Sequence, residues 1–366
     1  MLTTKKMNIN HIIFTACILL SDSSSIQRVG ATYSIAAVDL TNGLMGAAAV
    51  TCIKDHDLSL FDALYHSVPG NQSITNTGSV LLAQGLLSDT NDEHMILALE
   101  LMRNGTDPDL ILNDITDPSV DDGQYDEGCE PNYSLRQYGI VNTNGDAASY
   151  TGPKLYSTYE KFGIYNSAQE DIQGTRTSAE GISYVFAAQG NIVDENVVGS
   201  VAGAFNKYGC DLAESLLLAL VRPLYDQKGD VRCTGDGVVG TVAFLHVESA
   251  DEGVVSLHID VKYEVNDDNQ VLNPLDSLGF QYADWRMQQP RKDNCVMNFH
   301  DDEDSDSNAT STAGAEDFSG GLDTTTSAGA EDGGGDIDTT SAVGQQHPLH
   351  RFIYFMSSLP MVFFLA

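Results

Sequence analysis

Two apolar stretches open the ordered part of the chain. Tyr33–Val38 and Leu44–Thr51 are built from small, β-branched and apolar residues, and the intervening Asp39-Leu40-Thr41-Asn42-Gly43 is turn-forming. That pattern predicts a β-hairpin, with Asn42-Gly43 supplying the positive φ angles. Gly46-Ala47-Ala48-Ala49 makes the second strand slim, as if another layer packs close against it. Gly78 and Gly85 bracket an apolar segment between Thr77 and Leu87 whose type the pattern leaves open. From Asn91 to Asn104 apolar residues recur at Met95, Leu97, Leu99 and Met102, Asp92 and Glu93 sit in the first turn, and Gly105 follows, which predicts a helix. A second helix is expected from Asp107 to Ile115, opened by Pro108 and stopped by Pro118.

Asp117–Asn132 is an acidic, glycine-containing loop, after which Arg136–Asn142 and Ala147–Tyr150 flank Thr143-Asn144-Gly145-Asp146 as a second hairpin. Lys154–Gly181 is polar and irregular, and is expected to be a surface insertion. Strand character returns at Ile182–Ala188. Helical periodicity follows at Asp194–Phe205 and Cys210–Leu220, then strands at Val238–Val247 and Val254–Tyr263. The order of strands, helices, strands, helices, strands predicts an α+β layered domain and not repeated βαβ units.

Both ends of the chain differ from this body. Lys5 and Lys6 precede the apolar run Ile12–Leu20, too short to span a bilayer but suited to a signal-peptide core, and Val29-Gly30-Ala31 offers small residues for cleavage. The expected organisation is a signal peptide at 1–31, a folded domain at 32–293, an acidic low-complexity linker at 294–351 and a hydrophobic tail at 352–366. An earlier cut near Ser23 competes with the cut after Ala31. The linker repeats itself, Ala313-Gly314-Ala315-Glu316-Asp317 returning as Ala328-Gly329-Ala330-Glu331-Asp332, and such a composition predicts disorder. Ser341-Ala342, a polar spacer ending at Arg351 and the apolar Phe352–Ala366 fit a lipid-anchor (GPI) signal, with a tail-anchored helix as the alternative.

A formal charge of −34, from 18 basic and 52 acidic residues, argues against nucleic acid or anionic lipid as partners, since both would be repelled. With Cys17 removed, Cys52, Cys129, Cys210, Cys233 and Cys295 remain, and the odd count predicts an unpaired or intermolecular thiol. No CxxC pair or Cys/His cluster with zinc spacing occurs, so neither metal nor cofactor is expected. Asn71, Asn104, Asn132 and Asn308 stand in glycosylation sequons, in keeping with export. His56, His66 and His94 are scattered and are expected on the surface. No phosphate loop, GxSxG elbow or HExxH helix is present.

Cleavage after Ala31 would make Thr32 the first residue. An N-terminal threonine carries nucleophile and base together, because its own α-amino group, with a pKa of about 8, can take the hydroxyl proton. An internal Thr32 would be an ordinary strand former.

Several segments resemble the domain of unknown function 1028 family of N-terminal-nucleophile (Ntn) hydrolase-like proteins. They are Thr32–Asp39 with Gly43-Leu44-Met45-Gly46, Arg136–Asn142 with Gly145 and Thr151-Gly152, Tyr184 with Gln189-Gly190-Asn191, Gly229-Asp230-Val231-Arg232, and Leu257–Val261, in family order over residues 32 to 280. The resemblance implies a four-layer αββα sandwich in which the first strand carries its terminal threonine to the open edge of two sheets. It also implies amide hydrolysis, by fold-level analogy alone.

Such a reaction needs a positive group to keep the amine neutral and donors for the oxyanion. Lys54 is the candidate for the first role, although the family often has a basic residue where this chain has Cys52. Asn191 is the candidate oxyanion donor and Asp39 the candidate to orient the amine; each also suits a turn or strand end. Arg136, Asp230 and Arg232 either bind a carboxylate-bearing substrate or form an internal ion pair. The expected partners are an amide substrate, small-molecule or peptide, a membrane reached through the tail, and further copies of the chain in a homo-oligomer. The rival reading is a non-catalytic surface scaffold on a disordered stalk.

Overall fold

One strand, hydrogen-bonded on both sides, sets the frame. The computed structural model describes residues 32–52, 78–85, 93–121, 124–125, 130–161, 164–179, 181–235, 237–250, 255–262, 264–267 and 269–289. In chain order the strands are β1 (Thr32–Asp39), β2 (Leu44–Thr51), β3 (Ser79–Gly85), β4 (Gln124–Tyr125), β5 (Glu130–Pro131), β6 (Arg136–Asn142), β7 (Ala147–Thr151), β8 (Ala168–Thr177), β9 (Ser183–Val193), β10 (Val242–Ser249) and β11 (Val255–Val261). The helices are α1 (Glu93–Arg103), α2 (Pro108–Ile115), α3 (Leu155–Lys161), α4 (Val197–Lys207), α5 (Leu212–Tyr225), α6 (Val231–Thr234) and α7 (Pro274–Met287).

Six antiparallel strands form one sheet in the order β11-β10-β2-β1-β9-β8, and β3-β6-β7 form a second. The sheets face each other through β1, β6, β7 and β9, while α4, α5 and α7 cover the outer face of the larger sheet and α2, backed by α1, that of the smaller. This is a four-layer αββα sandwich of the α+β class. Its inner core is made by alternate residues of the facing strands, among them Ala36, Val38, Ala47, Ala49, Leu82, Val141, Ala187 and Phe244. The slim second strand has its explanation here: a Cβ on Gly46 would lie 2.8 Å from Leu216 Cδ1 of α5 and 2.8 Å from the His246 carbonyl.

Local chemistry accounts for most boundaries. Asp107 caps α2 by accepting from the Asp109 amide, and Asp211 caps α5 by accepting from the Glu214 amide. The first hairpin turns with a single left-handed residue, Gly43 at φ 64°, so the expectation of positive φ at Asn42 as well is corrected. The second turns at Gly145, φ 95°.

Three expectations fail. Lys154–Gly181 is no irregular insertion, because it contains α3 and the ten-residue edge strand β8. Ala168–Thr177 is at least partly exposed along nearly its whole length, so neither face demands a run of apolar residues and the segment shows no period. Arg176 on β8 reaches inward to the end of α4, donating to the carbonyls of Phe205, Tyr208 (2.8 Å) and Gly209 (3.0 Å), with its guanidinium 5.0 Å from the Tyr184 ring centre. Second, α7 was not anticipated; its buried Leu275, Leu278, Tyr282 and Ala283 follow helical spacing, but polar residues interrupt the stripe. Third, His94 is buried and not on the surface, 3.9 Å from Asp121, with its ring tilted 56° to that of Tyr138 at 6.1 Å, while His56 and His66 lie outside the described residues.

Candidate functional site

Thr32 begins β1, where Thr51 of β2 and Asn191 of β9 are its register partners on either side. Being the partners of one residue, all three project to the same face of the sheet, the face that meets the smaller sheet. The Thr32 hydroxyl donates to Thr51 Oγ1 at 3.1 Å. Thr51 is held in turn by Thr241, whose amide donates to the Thr51 carbonyl at 2.8 Å.

Facing them from the smaller sheet are two glutamines. Gln84 donates to the Thr32 carbonyl (3.3 Å) and to Gln137 Oε1 (2.6 Å), and accepts from Ser34 (2.8 Å). Gln137 Oε1 also accepts from Asn191 Nδ2 (3.2 Å), while Gln137 Nε2 donates to Thr151 Oγ1 (2.8 Å) and to the carbonyls of Glu170 (3.0 Å) and Gly190 (3.1 Å). Thr151 donates to Asp171 on β8. Three carboxamides and two hydroxyls thus cross from one sheet to the other at the Thr32 end of the sandwich. Thr32 is 2% exposed, and Gln137 and Asn191 are fully buried. Such groups persist in an interior only when hydrogen-bonded, which they are.

The remaining predicted residues fall in different places. Asp39 stands at the opposite end of β1, roughly 23 Å of strand away. There its carboxylate accepts from the amides of Thr41 (3.0 Å) and Asn42 (2.9 Å), so it closes the turn, and the role of orienting the Thr32 amine is corrected. Lys54 lies outside the described residues. Asn191 sits beside Thr32 but gives an amide hydrogen to Gln137.

Asp230 and Arg232 form an ion pair with each other, Arg232 bonding bidentately through Nε (3.1 Å) and a terminal nitrogen (2.8 Å). Asp230 also accepts from the Cys52 amide at 2.9 Å, which ties it to the residue after Thr51. Burial pushes the Asp230 carboxyl above its ordinary range, against the pull of Arg232 and of the backbone donors. Arg136 belongs to neither partner. It is fully buried and pairs with Asp121 at 2.9 and 3.0 Å. Since Arg136 and Gln137 are consecutive on β6, their side chains leave on opposite faces, so Arg136 points away from Thr32.

Cys52, at the position where the resembled family often has a basic residue, is bonded to Cys233 of α6. Cys210 is also in a disulfide, and no described cysteine is free, so the expected unpaired thiol is not among these residues. Of the sequons, Asn104 is exposed in the turn after α1, whereas Asn132 is 2% exposed. A glycan on Asn132 would have to expel that segment, and this acceptor is corrected. Asn71 and Asn308 lie outside the described residues. Among the described residues no three His, Cys, Asp or Glu side chains are grouped to hold a metal, and no helix is long and apolar enough to cross a membrane.

Sequence reasoning missed Thr51, Gln84, Gln137, Thr151 and Asp171. A trace was available: Gln84 ends the otherwise apolar Val80-Leu81-Leu82-Ala83, and Gln137 interrupts β6 on the parity that faces the other sheet.

No family model and no curated protein matches the chain. Among solved structures it is similar to protein SPO2555 from Silicibacter pomeroyi, described as family-model DUF1028, at 21% identity and a TM-score of 0.44, over 69% of this chain and 85% of that one.

Proposed function

We propose that the chain is an Ntn-type amidohydrolase, exported and attached at the cell surface, in which Thr32 becomes the terminal nucleophile once the residues before it are removed. One observation carries the reading: the Thr32 hydroxyl stands 3.1 Å from the Thr51 hydroxyl at the end of the central strand, where a buried carboxamide network from both sheets converges on it. A free amine on Thr32 would lie on the same residue as the hydroxyl and take its proton as the attack on an amide carbonyl begins. Polar groups fixed before the reaction stabilise developing charge without reorganising, which is the service such a network offers. The disulfide between Cys52 and Cys233 fits an oxidising, extracytoplasmic setting.

N-terminal sequencing of the mature protein is the first test, and Thr32 is expected at position one. Against a panel of small-molecule and peptide amides, Thr32→Ala is expected to abolish turnover and Thr32→Ser to retain it, with both variants folded. A chain that keeps its extension, or an alanine variant that still hydrolyses, ends the proposal.

The second reading is a non-catalytic scaffold, favoured by the burial of Thr32 in the uncut chain. It predicts a mature N-terminus upstream of Thr32 and no turnover by any variant.

A further inference from the structure

The network beside Thr32 has a direction, and one of the groups that set it is a residue on the far edge of the sheet. Asp171 on β8 accepts from Ser149 Oγ at 2.6 Å and from Thr151 Oγ1. A carboxylate accepts and cannot donate, so the single Thr151 hydrogen is committed to Asp171. Thr151 Oγ1 can then only accept from its other neighbour, and it does so from Gln137 Nε2 at 2.8 Å. With its NH₂ end turned toward Thr151, Gln137 must present Oε1 to the other side, where Gln84 Nε2 (2.6 Å) and Asn191 Nδ2 (3.2 Å) donate to it. Gln84 therefore has its NH₂ end toward Thr32, whose carbonyl it reaches at 3.3 Å, and its oxygen toward Ser34 at 2.8 Å. A reversed Gln84 would set two amide oxygens against each other and leave the Thr32 carbonyl without this donor.

We infer that Asp171 is a remote positioning residue for Thr32, acting through Thr151, Gln137 and Gln84. The inference rests on the proposed role of Thr32 as nucleophile, but the network it describes stands apart from that role. Asp171 touches no reacting atom. Together with the Glu170 and Gly190 carbonyls, which also accept from Gln137 Nε2 (3.0 and 3.1 Å), it favours one of two amide orientations along a chain of hydrogen bonds, and linked bonds of one polarity reinforce each other in a low-dielectric interior. The consequence is a first residue of β1 whose carbonyl, and hence backbone, is held from the opposite sheet. Small misplacements of a reacting group are costly, since the geometry of attack is narrow.

The test has two readouts on the processed protein. The first is the rate at which a β-lactone acylates Thr32, followed by mass spectrometry. In that step the threonine oxygen attacks the lactone carbonyl, the ring C–O bond breaks, and the hydroxyl proton ends on the released alkoxide. The second is the set of side-chain NH₂ resonances of Gln84, Gln137 and Asn191. Asp171→Leu is expected to slow acylation about tenfold or more and to shift the Gln84 and Gln137 resonances, with melting temperature measured in parallel. Thr151→Val cuts the same chain one link nearer and is expected to act alike, while Thr151→Ser restores both readouts; this pair serves if Asp171→Leu does not fold. Unchanged resonances, or shifted resonances with wild-type acylation, overturn the inference. Resonances that shift in a protein whose wild-type Thr32 is never acylated overturn the hydrolase reading and leave the network as described.

Discussion

The two ends of β1 both bury a polar side chain, Thr32 at 2% exposure and Asp39 at 1%. Yet they solve the same problem differently. Asp39 satisfies its carboxylate within three residues, on Thr41 and Asn42, at a turn that needs an acceptor. Thr32 is satisfied by Thr51 and Gln84, and behind these stand Gln137, Asn191, Thr151 and Asp171 from four further strands. One end is local and self-contained. The other exists only when two sheets are assembled, and a strand end built at that expense is where chemistry is to be sought.

Four measurements break or sharpen this contrast, the largest first. The Cys52–Cys233 bond joins residues 181 apart at the Thr32 end, and in the chain-entropy account opening so long a loop costs about 5 kcal/mol. Denaturant unfolding of Cys52→Ser/Cys233→Ser is expected to lose up to that amount. Gln137→Leu removes the acceptor shared by Gln84 and Asn191 and the donor to Thr151 and to the Glu170 and Gly190 carbonyls, so a loss of about 3–5 kcal/mol is expected in the same assay. Asp39→Ala leaves only turn amides unsatisfied, and about 1–2 kcal/mol is expected, with Thr32 acylation unchanged. If the two losses prove equal, the distinction between the ends fails.

The smallest effect concerns pH. The folded-state value of Asp230 is raised by burial, so its contribution to stability is fully present below the ordinary carboxylate value, about 4 for an unfolded aspartate, and is lost as pH rises through the raised value. Asp230→Asn keeps an acceptor for the Cys52 amide without ionising. Relative to it, the wild type is expected to lose stability as pH rises from about 4 through the raised value, measured as the difference in unfolding free energy. A flat difference would mean that Arg232 offsets the burial in full.

The hairpin of β1 and β2, the hairpin of β6 and β7, and helices α1 and α2 were legible because each rests on neighbours in sequence: Gly43, Gly145, Pro108, Asp107. The slimness of Gly46-Ala47-Ala48-Ala49 announced a close layer, and α5 is that layer. The edge strand β8 was illegible because it is at least partly exposed on both faces and neither requires apolar residues, and α7 because its apolar stripe is broken. At the site, Asn191 is the register partner of Thr32, while Asp39 closes the turn at the other end of β1 and Arg136 forms its internal ion pair with Asp121 on the far face of β6.

The amino-acid order by itself determined the turns, the helix caps, the parity of each strand and the presence of an unusual threonine at the head of the first one. All of these follow from backbone preferences and side-chain spacing over a few residues. Only the tertiary structure decided which polar side chains share a space with Thr32, because Gln84, Gln137, Thr151 and Asp171 meet it through pairings between strands distant in the chain. Register within a sheet and contact between sheets are set by the burial of whole faces, and no local pattern encodes where two such faces will meet.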